Sequence, residues 1–257
     1  MDLSVKNRQG FTKIDRFRQS GSLKCLFPRK FRSDLEAVLI NTAGGVTGGD
    51  RFEASVHLAK GTQLTLTTQA CERAYRAKAG QTGVIFNNLN VGPDARLSWL
   101  PQETLLFDGC ALRRKLAVSL EEGARALIAE PLIFGRTAMA ERIRQANFND
   151  RIQITQDGRP VCIDAVHLHG DVEAQLQNRF IADGALAMAN IIFIAPEAEA
   201  QLSPVREMLP DSAGASLLSR STLVIRILAK DGFSLRKTLV PLLTRLNNSP
   251  LPRCWTI

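Results

Sequence analysis

The sequence predicts a mostly β protein: an elongated, β-helix-like body of stacked strands, with two α-helices near the C-terminus. Three observations predict it. The segments SVHLAKGTQLTLTTQ (55–69), LNVGPDARLSWLPQ (89–102) and AVSLEEGARALIAEP (117–131) share a layout of strand, short turn and strand. In each, apolar residues alternate before the turn, at Val56 and Leu58, Leu89 and Val91, and Val118 and Leu120, the period of a half-buried strand. Helix signals come mainly late, in PEAEAQLSPVREML (196–209) and DGFSLRKTLVPLLTRLNN (231–248).

The corresponding residues Leu66, Trp99 and Ile128 lie 33 and then 29 positions apart, an approximate internal repeat. Units of about 30 residues that each leave a face exposed are stabilised by stacking on their neighbours, so these three residues should occupy equivalent places on adjacent units. Three unrelated hairpins in a sandwich are the other arrangement open to the pattern. Beyond the repeats, RIQITQDGRPVCIDAVHLH (151–169) reads as a hairpin whose Asp157-Gly158 supplies the positive φ angles of a tight turn. ALAMANIIFIA (185–195) is a buried strand or helix, interrupted by Asn190 and far short of the roughly 20 residues of a membrane span. The strand-like STLVIRILAK separates the two helices. In the second helix Phe233, Leu239, Val240 and Leu243 can share a face, and Pro241 should kink it.

At 257 residues, 45% hydrophobic and 23% charged, the chain can bury one sizeable core, and a single domain over 1–257 is expected, with residues 1–20 a candidate flexible basic arm. The N-terminus lacks the apolar core and cleavage site of a secretion signal, so a cytoplasmic location is expected. Five cysteines with no C-x-x-C pair fit reduced thiols and give no zinc spacing. A net charge of +8 favours an acidic partner, although aromatic residues at 6% are poor material for stacking bases.

The stretch LINTAGGVTGGD (39–50) concentrates four glycines in six residues. A phosphate loop would need lysine where Asp50 stands, and a carboxylate aimed at a polyphosphate repels it. The dinucleotide G-x-G-x-x-G cannot be laid on Gly44, Gly45, Gly48 and Gly49. A demanding turn remains.

No G-x-S-x-G elbow or papain-like cysteine neighbourhood is present, and no enzymatic activity is expected. Glu103 and Asp108 are paired carboxylates of unknown separation, and Cys71 reads as a buried or half-buried thiol. His57 should be exposed on a strand. His167, His169 and Asp171 alternate on one side of a strand and could bind a transition metal; with Val161 and Ile163 on the same face, a partly buried histidine pair is the alternative. Glu130 interrupts an apolar strand and precedes Pro131, so it either faces water at a strand end or is buried with a purpose. Arg136 is near enough in sequence to neutralise it; the other use is as an acid lining an internal aqueous path.

Six segments in order and spacing, LINTAGGVTGGDRFE, LTLTTQACERAYRA, WLPQETLLFDGCALRRKL, AEPLIFGRTAMAE, DGRPVCIDA and LPRCW, resemble the urease accessory protein UreD (UreH) family, from about Phe31 to the C-terminus. The resemblance implies a non-enzymatic scaffold and chaperone that joins UreF and the GTPase UreG, contacts apo-urease and helps nickel(II) reach a buried site. It implies no permanently bound cofactor, no nucleotide, nucleic-acid or membrane partner, and an elongated β-rich fold with two helices. It makes the N-T-A-G-G-x-x-G-G-D segment the family's signature loop, while His167 and His169 lie outside the pattern. A relay for nickel wants spaced, weak carboxylate ligands, which makes Glu130 the first candidate, followed by Asp50 and Glu103. A basic β-rich module for nucleic acid or general protein binding is the alternative that the net charge allows.

Overall fold

The computed structural model describes residues 1–29, 32–136 and 141–256. In chain order the N-terminal strands are β1 (Asp2–Arg8), β2 (Phe11–Arg18), β3 (Leu23–Leu26), β4 (Leu35–Asn41), β5 (Arg51–Leu58), β6 (Gln63–Thr68) and β7 (Glu72–Ala74). There follow β8 (Gly83–Val91), β9 (Arg96–Leu100), β10 (Thr104–Leu106), β11 (Ala111–Leu120), β12 (Arg125–Phe134), β13 (Ala146–Gln156) and β14 (Arg159–Gly170). The C-terminal part holds α1 (Val172–Gln177), β15 (Ala187–Ile194), α2 (Ala198–Met208), β16 (Ala213–Ser219), β17 (Thr222–Ala229) and α3 (Gly232–Asn247).

The strands make two facing sheets, one ordered β14-β13-β11-β8-β5-β1-β2 and the other β16-β17-β15-β12-β9-β6-β4-β3, with the short β7 and β10 beside β12. The repeat read from the sequence is the rung of this stack. β5 and β6, β8 and β9, and β11 and β12 each cross from the first sheet to the second through a turn closed in the same way: Thr62 N–H donates to Ala59 O at 3.3 Å, Ala95 to Gly92 at 3.1 Å, and Ala124 to Glu121 at 3.0 Å. The corners also hold one another, Gly61 N–H donating to Pro93 O at 2.9 Å and Asp94 N–H to Glu122 O at 3.0 Å. Leu66 pairs with Trp99, and Trp99 with Ile128, in parallel register. The three residues therefore stack at one level, as the spacing predicts, and the parallel rungs give the coil its solenoid character.

Antiparallel strands finish both ends. Asp157 and Gly158, with φ of 49° and 75°, make the tight turn between β13 and β14. Residues 1–20, expected as a basic arm, instead supply β1 and β2, and β1 runs parallel to β5 with Leu3 and Val5 buried against the core. One core lies between the sheets on the side of the turns, a second between the sheets at the opposite side, and a third between the second sheet and the helices.

The two expected helices are α2 and α3. The additional α1 has six residues, too few for a periodic signal, and starts where Asp171 Oδ1 accepts the Ala174 N–H at 3.0 Å. In α3 the buried face is Leu235, Leu239, Leu242, Leu243 and Leu246, and the helix runs on through Pro241. Phe233, expected on that face, is 72% exposed because it stands about 200° around the helix from Leu235.

Since Leu66 is fully buried within the stacked row, Leu66→Ala should cost about 2–5 kcal/mol in chemical denaturation with an unchanged m value. A loss below about 1 kcal/mol would deny the row its place in the core.

Candidate functional site

Alternation on three strands carries a charge into the interior. On β11, Arg114 is in phase with buried Leu112, Leu116 and Val118; on β13, Asp150 is in phase with Phe148 and Ile152; on β12, Glu130 is in phase with Ile128 and Leu132. Arg114 and Asp150 are also register partners on adjacent strands. The three side chains meet between the sheets: Arg114 Nη1 lies 3.0 Å from Glu130 Oε2, and Arg114 Nη2 bonds Asp150 Oδ2. Thr104 Oγ1 accepts a further bond from Arg114 at 2.8 Å, and Trp99 Nε1–H donates to Glu130 Oε1 at 2.6 Å. Only Arg114 Nε lacks a partner in this group, although its side chain is no more than 10% exposed.

Burial works against every charge here. It would lower the Arg114 pKa, but Asp150 and Glu130 outweigh it and push the guanidinium above its ordinary range. For Glu130, burial raises the carboxyl and the Asp150 charge adds to it, against the attraction of Arg114 and the Trp99 bond. Two carboxylates share one cation.

The cluster forms one end of a cavity of about 320 Å³ that crosses the strands, from Glu130, Arg114 and Asp150 to Asn41, Phe52 and Leu23. The slot exists because the second sheet is broken along this line. β6 stops at Thr68 and β7 starts at Glu72; β9 stops at Leu100 and β10 starts at Thr104; β12 alone continues. Pro131 sits where the neighbour of β12 changes from β9 to β10, so its missing N–H interrupts no ladder on that side.

The glycine-rich segment forms part of the slot wall. Asn41 Nδ2 donates to Gly45 O at 2.9 Å and to the Glu72 carboxylate at 3.1 and 3.2 Å. Gly44 has φ of +81°, while a Cβ on Gly45 would stand 2.7 Å from Arg73 O and collide with the Tyr75 ring. One glycine makes the turn and the other permits the approach. Burial raises the Glu72 carboxyl, offset in part by the Asn41 bond.

The remaining sequence candidates lie elsewhere. Asp50 Oδ2 caps its own turn by accepting from Thr47 N–H at 2.8 Å, and it lines a separate depression that shares Leu23 and Phe52 with the slot. Glu103 faces α3, 3.5 Å from Arg236 Nε, beside the terminal segment whose Trp255 Nε1–H donates to Leu100 O at 3.1 Å. The expected Glu130–Arg136 pair is not formed: Arg136 is held by Glu141 at 2.8 and 3.0 Å, and Glu130 takes Arg114 from across the sandwich. Asp108 accepts from the backbone of Arg144 and Gln145, remote from any pairing with Glu103. Cys71 is half-buried on the slot wall and His57 is exposed. His167 and His169 are exposed on the outer face of β14, and Asp171 has left them to cap α1.

The polar level of Glu130 continues across the sheet. Glu130 pairs with Asn190 on β15, and Asn190 with Arg226 on β17. Asn190 Nδ2 donates to Asp164 Oδ2 at 2.6 Å and Arg226 Nη2 to Asp164 Oδ1 at 2.5 Å, tying β14 to the opposite sheet above an outer groove of about 400 Å³. Sequence reasoning missed Arg114, Asp150, Glu72 and Asn190. The usable signal was a charge in phase with a buried alternation, as at Arg114 and Asp150. Among the described residues, no three His, Cys, Asp or Glu side chains converge as metal ligands, and no helix is long and apolar enough to cross a membrane.

These features define a stacked-strand body enclosing a polar slot with an ion-pair network at its inner end. Residues 1–256 match the family described as UreD urease accessory protein. The chain is 54% identical to the urease accessory protein UreD of Ruegeria pomeroyi over the full length of both, 48% identical to that of Roseobacter denitrificans over 99% of this chain and 93% of the relative, and 40% identical to that of Rhizobium rhizogenes with the same coverage. The chain belongs to the UreD family of urease accessory proteins.

Two measurements check the electrostatics. Arg114→Met should cost about 3–5 kcal/mol in denaturant unfolding, because it strands Glu130 and Asp150 as buried, uncompensated acids. A raised Glu72 pKa contributes stability that is complete below the ordinary carboxylate range and lost as pH rises through the folded-state value. Glu72→Gln should therefore gain melting temperature relative to the parent between pH 5 and pH 8; a constant difference would show that Glu72 ionises as freely as in the unfolded chain.

Proposed function

We propose that this chain acts in urease maturation as a non-enzymatic scaffold and chaperone, assembling in the cytoplasm with UreF and the GTPase UreG on apo-urease and assisting delivery of nickel(II), which it holds only in transit. Family membership along the whole chain supports the accessory role. The observation that carries the nickel part is the slot. Its inner end places two carboxylates around a single guanidinium, so an ionised Glu130–Arg114–Asp150 cluster is one negative charge in excess, with Glu72 further along the wall. Arg73 and Lys115 line the slot as well, so the excess of carboxylates belongs to the inner end, where it attracts a divalent cation without offering the closed ligand set that would trap it.

Glu130 is the proposed wall ligand, now with Asp150 and Glu72 beside it, and Asp50 stands in the neighbouring depression as an approach residue. Glu103 lies on the other face of the sheet, so the proposed path does not run past it. The GTP chemistry is assigned to UreG; nothing in the glycine-rich segment, which binds its own backbone and Glu72, calls for a nucleotide.

Glu130→Gln keeps the volume and the acceptor for Trp99 while removing the charge. It should leave capture of UreF and urease subunits intact and lower urease activation several-fold at limiting nickel, with partial recovery in excess nickel. Full activation at limiting nickel would reject the relay, and loss of assembly together with activation would make the residue purely structural. Capture of UreF and apo-urease in preference to unrelated RNA at equal ionic strength separates the scaffold from a nucleic-acid-binding module.

A further inference from the structure

We propose that His167 and His169 form a two-imidazole site for a divalent transition-metal ion on the outer face of the first sheet, separate from the slot. β14 is the edge strand of that sheet, and its residues two apart point to the same side. The pair faces outward together with Ile163, which is 54% exposed, so the fold makes an exposed histidine pair where the sequence also allowed a partly buried one. Both rings are open to solvent, and neither imidazole has a hydrogen-bond or ion-pair partner among the described residues. Their nitrogens are free to bind.

The separation suits one ion. The ring centroids are 6.4 Å apart with 40° between the planes. An imidazole nitrogen binds a metal at about 2.0–2.1 Å, which puts the ion roughly 3.2 Å from the ring centre. Two rings on one ion then have centres about 4.5 Å apart when at right angles and about 6.4 Å when opposed. The observed spacing is at the open end of this range, and rotation of two exposed side chains brings both nitrogens onto the ion with no movement of the backbone.

The surroundings decide the character of the site. Asn147 and Asn149 stand directly across on β13, opposite His169 and His167, and offer neutral amide oxygens. Charged groups on the same face include Arg151 on β13, the diagonal neighbour of His167 at roughly 7–8 Å, and Arg113 on β11, beyond Asn149 at roughly 9–10 Å by strand spacing. With Asp171 engaged in capping α1, the chain supplies two nitrogens and leaves the other coordination positions to water or to another protein's donors. Such a site favours nickel, copper or zinc over magnesium or calcium, and it exchanges readily. It stands independently of the proposed passage.

The test uses the full chain without an affinity tag, dialysed against nickel chloride or zinc chloride. The parent should bind one more equivalent of nickel than His167→Ala/His169→Ala, or bind its first equivalent at least tenfold more tightly. His167→Asn/His169→Asn, which keeps the strand face polar, should show the same loss, and His57→Ala should show none. Folding in the absence of metal should be unchanged in all three, since the side chains are exposed. Equal nickel binding by the parent and both double variants would overturn the proposal, as would a parent chain that binds no nickel.

Discussion

Everything distinctive in this molecule depends on one guanidinium held between two sheets. Arg114 joins Asp150 of its own sheet to Glu130 of the opposite one, between two apolar core clusters. A buried ion pair seldom adds net stability over a well-packed hydrophobic replacement, because desolvation of both partners offsets the attraction. What it does is forbid collapse. Leucines at these three positions would merge the cores on either side into one and close the slot; the charged cluster keeps its inner end polar and fixes how the sheets face each other.

The broken second sheet is the other half of the same arrangement. Where β6 and β9 end, backbone groups would be left facing the interior, and the short β7 and β10 recover the pairing three or four residues later. Between the breaks, Thr68 and Gln102 bond each other and the glycine-rich segment takes up Glu72 through Asn41. Most polar groups thus line the gap in satisfied pairs, which limits the penalty of a cavity inside a protein of this size, and Arg114 Nε is the orphaned donor within the ion-pair cluster. A Cβ at Gly45 would push this wall outward against Arg73 and Tyr75.

Much of the fold was legible because its determinants are local and periodic. The rung shows itself in the alternation of Val56 and Leu58 and their counterparts, and the register of Leu66, Trp99 and Ile128 follows from counting residues between equivalent turns. Glu130 was legible as an acid out of keeping with its strand. Its partner was not, since Arg136 is close in sequence whereas Arg114 is close only once the chain has turned from β11 in one sheet to β12 in the other. Arg114 was hidden between Arg113 and Lys115, in a basic triplet whose middle member points inward. Asp150 lies one residue before the recognised hairpin segment and was lost at its boundary. α1 was lost to its length, and the N-terminal strands to a basic composition that masks the inward pair Leu3 and Val5.

The placement of charge gives the positive excess a meaning that the total alone does not have. Cations such as Lys13, Arg16, Arg113 and Arg151 are exposed on the first sheet, whereas the enclosed end of the slot holds more carboxylates than guanidinium groups. The outside therefore favours acidic protein surfaces and the inside favours a cation, with a low-dielectric wall between them that limits screening. Basic groups along the slot oppose the entry of a cation, so what matters is how each is matched by a carboxylate. Arg73, Arg114 and Lys115 do line the slot, and of these Arg114 is the one set between two carboxylates at the inner end.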